Sequence, residues 1–263
     1  RVFRDGSIEA RIGTDEVGQG LLTVVTQITA EQFNSTADRV RVIHGDTLHT
    51  PWDFASAASR STWMTGNAII MACQDARQQI FKLAAPKLQS SPDDLEISNG
   101  TIYPKSSPEK SINVGDLFGM GIVHEIGEIL GVGSYECDYT PTNPDTGYSP
   151  QGSPSWSYIA YGVEVEVNTE TGEVMVLKVN CAVDIGQPIS WKMCEGQIEG
   201  CIGIGIGCAL FEKFETSKGR LLNPNFTTYR TPTFMECPSG ENVKSASVGL
   251  PHPDGPYGAK ALG

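Results

Sequence analysis

The sequence predicts an α+β fold in which mixed β-sheets and long helices form two lobes. Strand-like and helix-like segments alternate irregularly, which indicates an α+β or mixed α/β class. The length of 263 residues suffices to bury the core of one large domain or two small ones. The composition, with 39% apolar and 19% charged residues, is typical of a globular chain and excludes a disordered one. We expect the lobes at residues 1–117 and 118–263.

The expected first lobe contains two strands, two helices and a hairpin. Alternation of apolar and polar residues predicts short strands at 7–13 and 40–44. The apolar run over 21–33 predicts a helix, and small apolar residues at helical spacing predict a longer one over about 61–87. An Asn-Gly pair between two alternating runs predicts a β-hairpin at 95–104.

The expected second lobe begins with a long loop and continues with a hairpin and a helix. The loop is rich in Pro, Gly, Ser and Asn and is long enough to suggest a functional segment. In chain order the predicted features are the loop at 139–155, a hairpin at 160–184 with its turn at 169–172, a helix over about 190–214, and strand-like pieces at 226–229 and 242–248.

Charge and hydropathy exclude several kinds of partner. The net charge of −12 argues against nucleic acid, because phosphate backbones require a surface of Lys and Arg. The longest weakly charged run, 200–211, has 12 residues, against about 20 for a membrane-spanning helix. Seven cysteines are an odd number without the tight spacing of a disulfide framework, so we expect reduced thiols and a cytoplasmic protein.

Two patterns resemble metal sites without meeting their geometry. Cys194, Cys201 and Cys208 repeat every seven residues, which is about 10.5 Å along a helix, whereas thiolates that share one zinc ion lie within about 4 Å of each other. We therefore expect a packing stripe. His124 and Glu125 begin like a zinc-protease helix, but the second histidine of that motif is missing. We expect no residue of this chain to ligate a metal directly.

Three helix starts carry small residues or glutamine and form a more informative pattern. Helix N-termini leave backbone N–H groups unpaired and carry a partial positive charge, so small residues there can seat an anion. An acidic protein that holds a phosphorylated cofactor could use such main-chain donors. Taken singly, each is an ordinary helix start. The three segments are Gly18-Gln19-Gly20, Ser56-Ala57-Ala58-Ser59-Arg60-Ser61 and Glu195-Gly196-Gln197.

An ordered set of longer motifs extends along the whole chain. The motifs are IGTDEVGQG, GDTLHTPWDFASAASRSTWMTGNA, EVEVNTETGEVMVLKV, DIGQPIS, GQIEGCIGIGIGCALFE, GRLLNPNFTTYRTPT and GPYGAKALG. This set resembles the molybdenum-binding subunit of the xanthine dehydrogenase and aldehyde oxidase family, in its C-terminal half. It looks most like the bacterial branch with nicotinate dehydrogenase and 4-hydroxybenzoyl-CoA reductase.

The resemblance implies a cofactor and the residues that hold it. The cofactor is molybdenum bound by a pyranopterin (molybdopterin), alone or as a cytosine dinucleotide. Gln19, flanked by Gly18 and Gly20, matches a glutamine beside the oxo ligand of the metal. Ser56 to Ser61 match a loop whose backbone wraps the cofactor, and Gln197 matches a glutamine bonded to the pterin.

The resemblance also implies an activity and partners. The expected reaction is hydroxylation of an electron-poor carbon, in a small aromatic or heterocyclic compound or an aldehyde, with oxygen from water. The general base in the family is a glutamate that directly follows the motif ending here at Gly263, so we expect a fragment that is inactive alone. Expected partners are the N-terminal half of the subunit and iron–sulfur and flavin (FAD) subunits. The alternatives are a non-catalytic scaffold with the same fold and a dehydroxylating aryl-CoA reductase subunit.

Overall fold

The computed structural model describes residues 1–118 and 128–262 and divides into two compact units. One unit comprises Arg1–Trp156 and Pro251–Ala261, and the other comprises Ser157–Leu250 with Leu262. Helices combined with parallel and antiparallel strand pairs confirm the α+β class. His124, Glu125 and Gly263 lie outside the described residues.

The first unit follows the sequence prediction closely. Its elements are β1 (Ile8–Arg11), α1 (Leu21–Gln32), β2 (Val40–Ile43), α2 (Ser61–Leu88), β3 (Leu95–Ser98), β4 (Thr101–Pro104) and β5 (Ile112–Asn113). Strands β1 and β2 pair in parallel, and β3, β4 and β5 form an antiparallel sheet. At the predicted hairpin, Asn99 and Gly100 have φ values of 48° and 78°, the left-handed conformation that a type I′ turn requires.

The core of this unit lies between α1 and α2. Helix α1 buries Leu21, Val25 and Ile28, residues spaced by four and three, so one apolar face points inward. Gly66 of α2 allows the helices and the C-terminal segment to approach, because a Cβ there would lie 2.8 Å from the ring of Pro256. Among the described residues, no helix is both long and apolar enough to cross a membrane.

The division between the units falls at 156/157 and not at the predicted 117/118. The reason is that the segment after residue 127 packs along α2. The side-chain amide of Gln79 donates to the carbonyl of Leu130 over 2.8 Å, and the Asp75 carboxylate accepts from the N–H of Val132 over 2.9 Å. This segment has no periodic apolar pattern, so the sequence did not predict that it packs on α2.

The second unit contains a three-stranded sheet and one helix. Its elements are β6 (Tyr158–Val167), β7 (Val174–Asp184), α3 (Trp191–Ile206), β8 (Thr216–Ser217), β9 (Arg220–Leu221) and β10 (Val243–Ser247). The strand order is β10-β7-β6, with the predicted β6–β7 hairpin antiparallel and β10 parallel to β7. The strand predicted at 226–229 is wrong, because the side chain and carbonyl of Asn225 accept from Thr227 and Tyr229 and form a turn there.

The core of the second unit joins α3 to β7. It consists of isoleucines spaced by four on α3 and alternate residues of β7, namely Ile198, Ile202, Ile206, Val179, Cys181 and Val183. Cys194 packs against this cluster, whereas Cys201 and Cys208 are exposed. The predicted cysteine packing stripe is therefore correct for Cys194 only. Helix α3 ends in a π-helical turn at Gly207–Phe211, before the predicted end.

Candidate cofactor-binding site

The predicted turn before α1 is a tight backbone loop. Gly18 and Gly20 have φ values of 106° and 86°, a region that residues with a Cβ rarely adopt. Gly20 occupies the N-cap position of α1 and has no side chain with which to cap the helix. The N–H groups at this helix start therefore need another partner.

That partner is Glu16. Its Oε1 atom accepts from the N–H groups of Gly18 and Gly20 over 2.8 and 2.9 Å, and its Oε2 atom accepts from the N–H of Leu22 over 2.9 Å. Partial burial by itself would raise the pKa of Glu16, but the three backbone N–H donors outweigh it and lower that pKa below 4.5. The prediction that these amides seat an external anion is wrong, since a carboxylate of the chain occupies them.

The side chain of Gln19 is held at both ends by its own loop. Its Oε1 atom accepts from the N–H of Val17 over 2.7 Å, and its Nε2 atom donates to the carbonyl of Asp15 over 2.9 Å. Because one partner can only donate and the other can only accept, the orientation of the amide is fixed. One N–H of Nε2 remains for a further acceptor.

The second predicted turn stands directly before α2, which begins at Ser61 as expected. Ala58 and Ser59 have φ values of 53° and 54°, which is unusual for residues with a Cβ. The N-cap residue Arg60 makes no side-chain capping bond. The start of α2 therefore has the features of an anion seat, namely N–H groups at the positive end of a helix dipole that lack an N-cap side-chain acceptor.

Arg60 stabilises this turn through its guanidinium group. Nη2 contacts both carboxylate oxygens of Asp53 at 3.1 Å, and Nη1 donates to the carbonyl of Ala55 over 3.2 Å. The guanidinium carbon also lies 5.8 Å from the centre of the Phe54 ring. The charge of Arg60 is therefore paired within the loop, and backbone N–H groups are the donors that the turn offers to a ligand.

The two turns are joined at Asp15. The hydroxyl of Ser56 donates to the Asp15 carbonyl, the same oxygen that accepts from Gln19. Beneath this junction the buried hydroxyls of Thr14 and Thr65 bond to each other over 2.8 Å. The structure thus brings together Gln19 and the Ser56–Ser61 loop, as the sequence predicts.

The third predicted segment does not open a helix. Helix α3 begins at Trp191, so Glu195, Gly196 and Gln197 lie in its second turn, where backbone N–H groups bond within the helix. The prediction of a third anion seat is wrong, because the helix begins at Trp191, close to the predicted residue 190, and this segment lies beyond its free N-terminal N–H groups. Gln197 is half-buried and belongs to the second unit.

Sequence reasoning missed Glu16 and the paired threonines. An acidic residue four positions before an N-cap glycine was the available signal for Glu16, because helix N-termini favour negative charge. No signal marked Thr14 and Thr65, which lie 51 residues apart. In the described parts of the chain, no group of three or more His, Cys, Asp or Glu side chains is arranged to hold a metal ion.

The first unit therefore presents two joined turns whose available donors are backbone and amide N–H groups. Exposed main-chain donors at a helix start are a means by which proteins hold the phosphate of a cofactor. The chain matches the family described as the molybdopterin cofactor-binding domain over residues 1–238, and it belongs to that family.

Similar proteins agree with this assignment. The gamma subunit of the 6-hydroxypseudooxynicotine dehydrogenase complex of Paenarthrobacter nicotinovorans is 28% identical, with 100% of this chain and 32% of the relative covered. The putative xanthine dehydrogenase molybdenum-binding subunit XdhA of Escherichia coli K12 is 30% identical, with 99% and 33% covered. The chain thus spans about a third of the length of these relatives.

The fold is also similar to that of a solved structure. The crystal structure of the Cu,Mo-CO dehydrogenase in its carbon monoxide-reduced state matches with a TM-score of 0.84 at 24% identity, over 100% of this chain and 32% of that one. At this level of identity the likeness supports the fold alone. It agrees with the predicted combination of mixed sheets and long helices.

Proposed function

We propose that this chain is the C-terminal part of the molybdenum subunit of a xanthine dehydrogenase-like hydroxylase. The whole protein would hydroxylate an electron-poor carbon of a small aromatic or heterocyclic compound, or of an aldehyde, with oxygen from water. The observation that carries the proposal is the junction at Asp15, which joins Gln19 to the loop before α2. The likeness to the nicotinate dehydrogenase and 4-hydroxybenzoyl-CoA reductase branch stays a prediction.

The residues of the first unit fit a phosphorylated pterin. The start of α2 lacks an N-cap side-chain acceptor, and the preceding loop is largely exposed, so a phosphate group can accept from its backbone. We assign cofactor binding to Gln19, with Gly18 and Gly20 shaping its turn, to Gln197 on α3, and to the main chain of the loop residues Ser56, Ala57, Ala58, Ser59, Arg60 and Ser61. The bound molybdenum cofactor, mononucleotide or cytosine dinucleotide, would supply the redox chemistry.

Each turn would contribute a different kind of contact. The α2 turn binds negative charge through main-chain donors that are already oriented, so little reorganisation accompanies binding. Gln19 directs its remaining N–H toward an acceptor of the cofactor, which by the family resemblance is an oxo ligand. The carboxylate of Glu16 and the guanidinium of Arg60 form hydrogen bonds within their own loops and would keep these donors in place.

The rest of the assembly is part of the same proposal. We expect the N-terminal half of the subunit, together with iron–sulfur and flavin subunits that accept the electrons. Two relatives are named as subunits, which supports an assembly of several chains. A cytoplasmic location is supported by seven cysteines that are all free.

The test compares the complete complex with its Gln19→Ala variant. We expect the wild-type complex to contain about one molybdenum per subunit, and the variant to turn over much more slowly with its fold intact. Unchanged turnover contradicts the role of Gln19. We also expect the 263-residue chain alone to bind no stoichiometric molybdenum and to oxidise no purine, nicotinate or aldehyde.

The residue encoded after Gly263 distinguishes between the two hypotheses, an enzyme and a non-catalytic scaffold. A glutamate there would be the general base of the reaction, and it supports the hydroxylase. Any other residue supports a scaffold that has kept the fold. Dehydroxylation of an aryl-CoA by the complex, in place of hydroxylation, would assign it to the reductase branch.

A further inference from the structure

Gln19 lies inside a loop whose backbone is fixed on both sides by one carboxylate. The N–H groups immediately before and after Gln19, those of Gly18 and Gly20, both donate to the Oε1 atom of Glu16. The Oε2 atom of the same carboxylate accepts from Leu22 in the first turn of α1. The direction in which Gln19 leaves the backbone is therefore set by Glu16 and the helix together.

Glycine makes this arrangement possible and leaves it dependent on Glu16. Gly18 and Gly20 both have positive φ, and glycine has more accessible conformations than any other residue. A Cβ at Gly18 would meet no atom within 4 Å, so no neighbouring side chain packs against this glycine. The hydrogen bonds to the carboxylate supply the restraint that side-chain packing does not.

We propose that Glu16 is a positioning residue, which orders the loop around Gln19 so that the remaining Gln19 N–H points to the cofactor. This inference rests on the proposed function of Gln19. Glu16 also occupies the N–H groups at the start of α1, so the phosphate of the cofactor binds at the other helix start, before α2. The start of α1 then binds a carboxylate of the chain itself, and the start of α2 binds the ligand.

The first test measures amide hydrogen exchange in the complete complex carrying Glu16→Gln. An amide side chain has one acceptor oxygen where the carboxylate has two, and its NH2 group would face backbone donors. We expect exchange at Gly18, Gly20 and Leu22 to be at least about tenfold faster. The matched control is Glu31→Gln, at the exposed C-terminal end of α1, which should leave these amides unchanged. Unchanged exchange in Glu16→Gln overturns the proposal.

The second test asks whether Glu16 acts through Gln19. We expect molybdenum to leave the Glu16→Gln complex at least about tenfold faster than wild type, and Glu31→Gln to match wild type. In a Gln19→Ala background, Glu16→Gln should add little, because the residue that it positions is gone. Full additivity of the two changes overturns the positioning role.

A third variant covers the case in which Glu16→Gln fails to fold. Glu16→Asp keeps the charge near the helix start but is shorter by one methylene, so it reaches fewer of the three N–H groups. We expect the rates of amide exchange and of molybdenum release to lie between those of wild type and Glu16→Gln. If Glu16→Gln does not fold, both rates in Glu16→Asp should still exceed those of wild type. Behaviour equal to wild type contradicts the proposal. A wild-type complex without molybdenum overturns the proposed function itself, whereas unchanged release in the variants overturns only the role of Glu16.

Discussion

Gln19 and Ser56 donate hydrogen bonds to one and the same oxygen, the backbone carbonyl of Asp15. The two donors belong to loops that precede different helices, and Ser56 lies 41 residues after Asp15. A carbonyl oxygen has two lone pairs, so both bonds can form at once. This carbonyl therefore sets how the two loops lie relative to each other.

Replacing Ser56 by alanine should loosen that junction. We expect Ser56→Ala to lower the free energy of unfolding by about 0.5–1.5 kcal/mol, the usual net value of one hydrogen bond. Denaturant unfolding of the 263-residue chain measures the change. The exposed Ser111 offers a control, since Ser111→Ala should stay within about 0.5 kcal/mol of wild type. Equal effects of the two substitutions would show that the junction contributes no stability.

The buried threonine pair allows a double-mutant cycle. Thr14 and Thr65 are 2% and 6% exposed, so Thr14→Val leaves the Thr65 hydroxyl buried without its partner. We expect a loss of about 1–3 kcal/mol for this single change. The double variant Thr14→Val with Thr65→Val should be less destabilised than the sum of the single variants. Strict additivity would mean that the two hydroxyls do not interact.

Cys73 should resist alkylation while the chain is folded. Burial raises the pKa of its thiol from 9.0 to about 12, so almost no thiolate is present at pH 8.5. Exposed Cys208 serves as the internal control and should react readily with iodoacetamide, as followed by mass spectrometry. Rapid labelling of Cys73 before unfolding would contradict the burial of this thiol.

The same thiol predicts a loss of stability at high pH. The folded state holds this proton more tightly than the unfolded chain does, so the contribution is complete below pH 9.0 and is lost as the pH rises toward about 12. Cys73→Ala should therefore show a weaker decline in unfolding free energy over that range than wild type. Parallel pH profiles for the two proteins would argue against the raised pKa.

Gly133 should be intolerant of any side chain. A Cβ at this position would overlap the backbone of Ala68 and Ala72 in α2, so Gly133→Ala must push the segment away from the helix. We expect destabilisation of about 1–3 kcal/mol by thermal or denaturant unfolding. Gly152→Ala is a matched control, since its Cβ would make an ordinary contact of 3.6 Å with Ser149. A neutral Gly133→Ala would mean that the segment does not pack on α2.

Local patterns determined most of the helices and strands. The Asn99-Gly100 hairpin and helix α1 depend on neighbours a few residues apart, and both are present as predicted. The prediction of a strand at 226–229 is wrong because the side chain of Asn225 forms a turn, which competes with extended backbone. The predicted boundary between the units differs from the observed one because the segment after residue 127 contacts α2. Such contacts leave no periodic pattern in the sequence.

The candidate site likewise has features that the sequence determined and features that only the tertiary structure decided. The sequence alone determined that Gln19 and the loop before α2 stand at helix starts, because small residues and apolar runs mark such positions locally. Only the tertiary structure decided that the N–H groups at the start of α1 belong to Glu16 and that Ser56 reaches Asp15. Neighbouring residues determine where a helix begins. The partner of each hydrogen bond depends instead on which distant loops the packed core brings to within about 3 Å of each other.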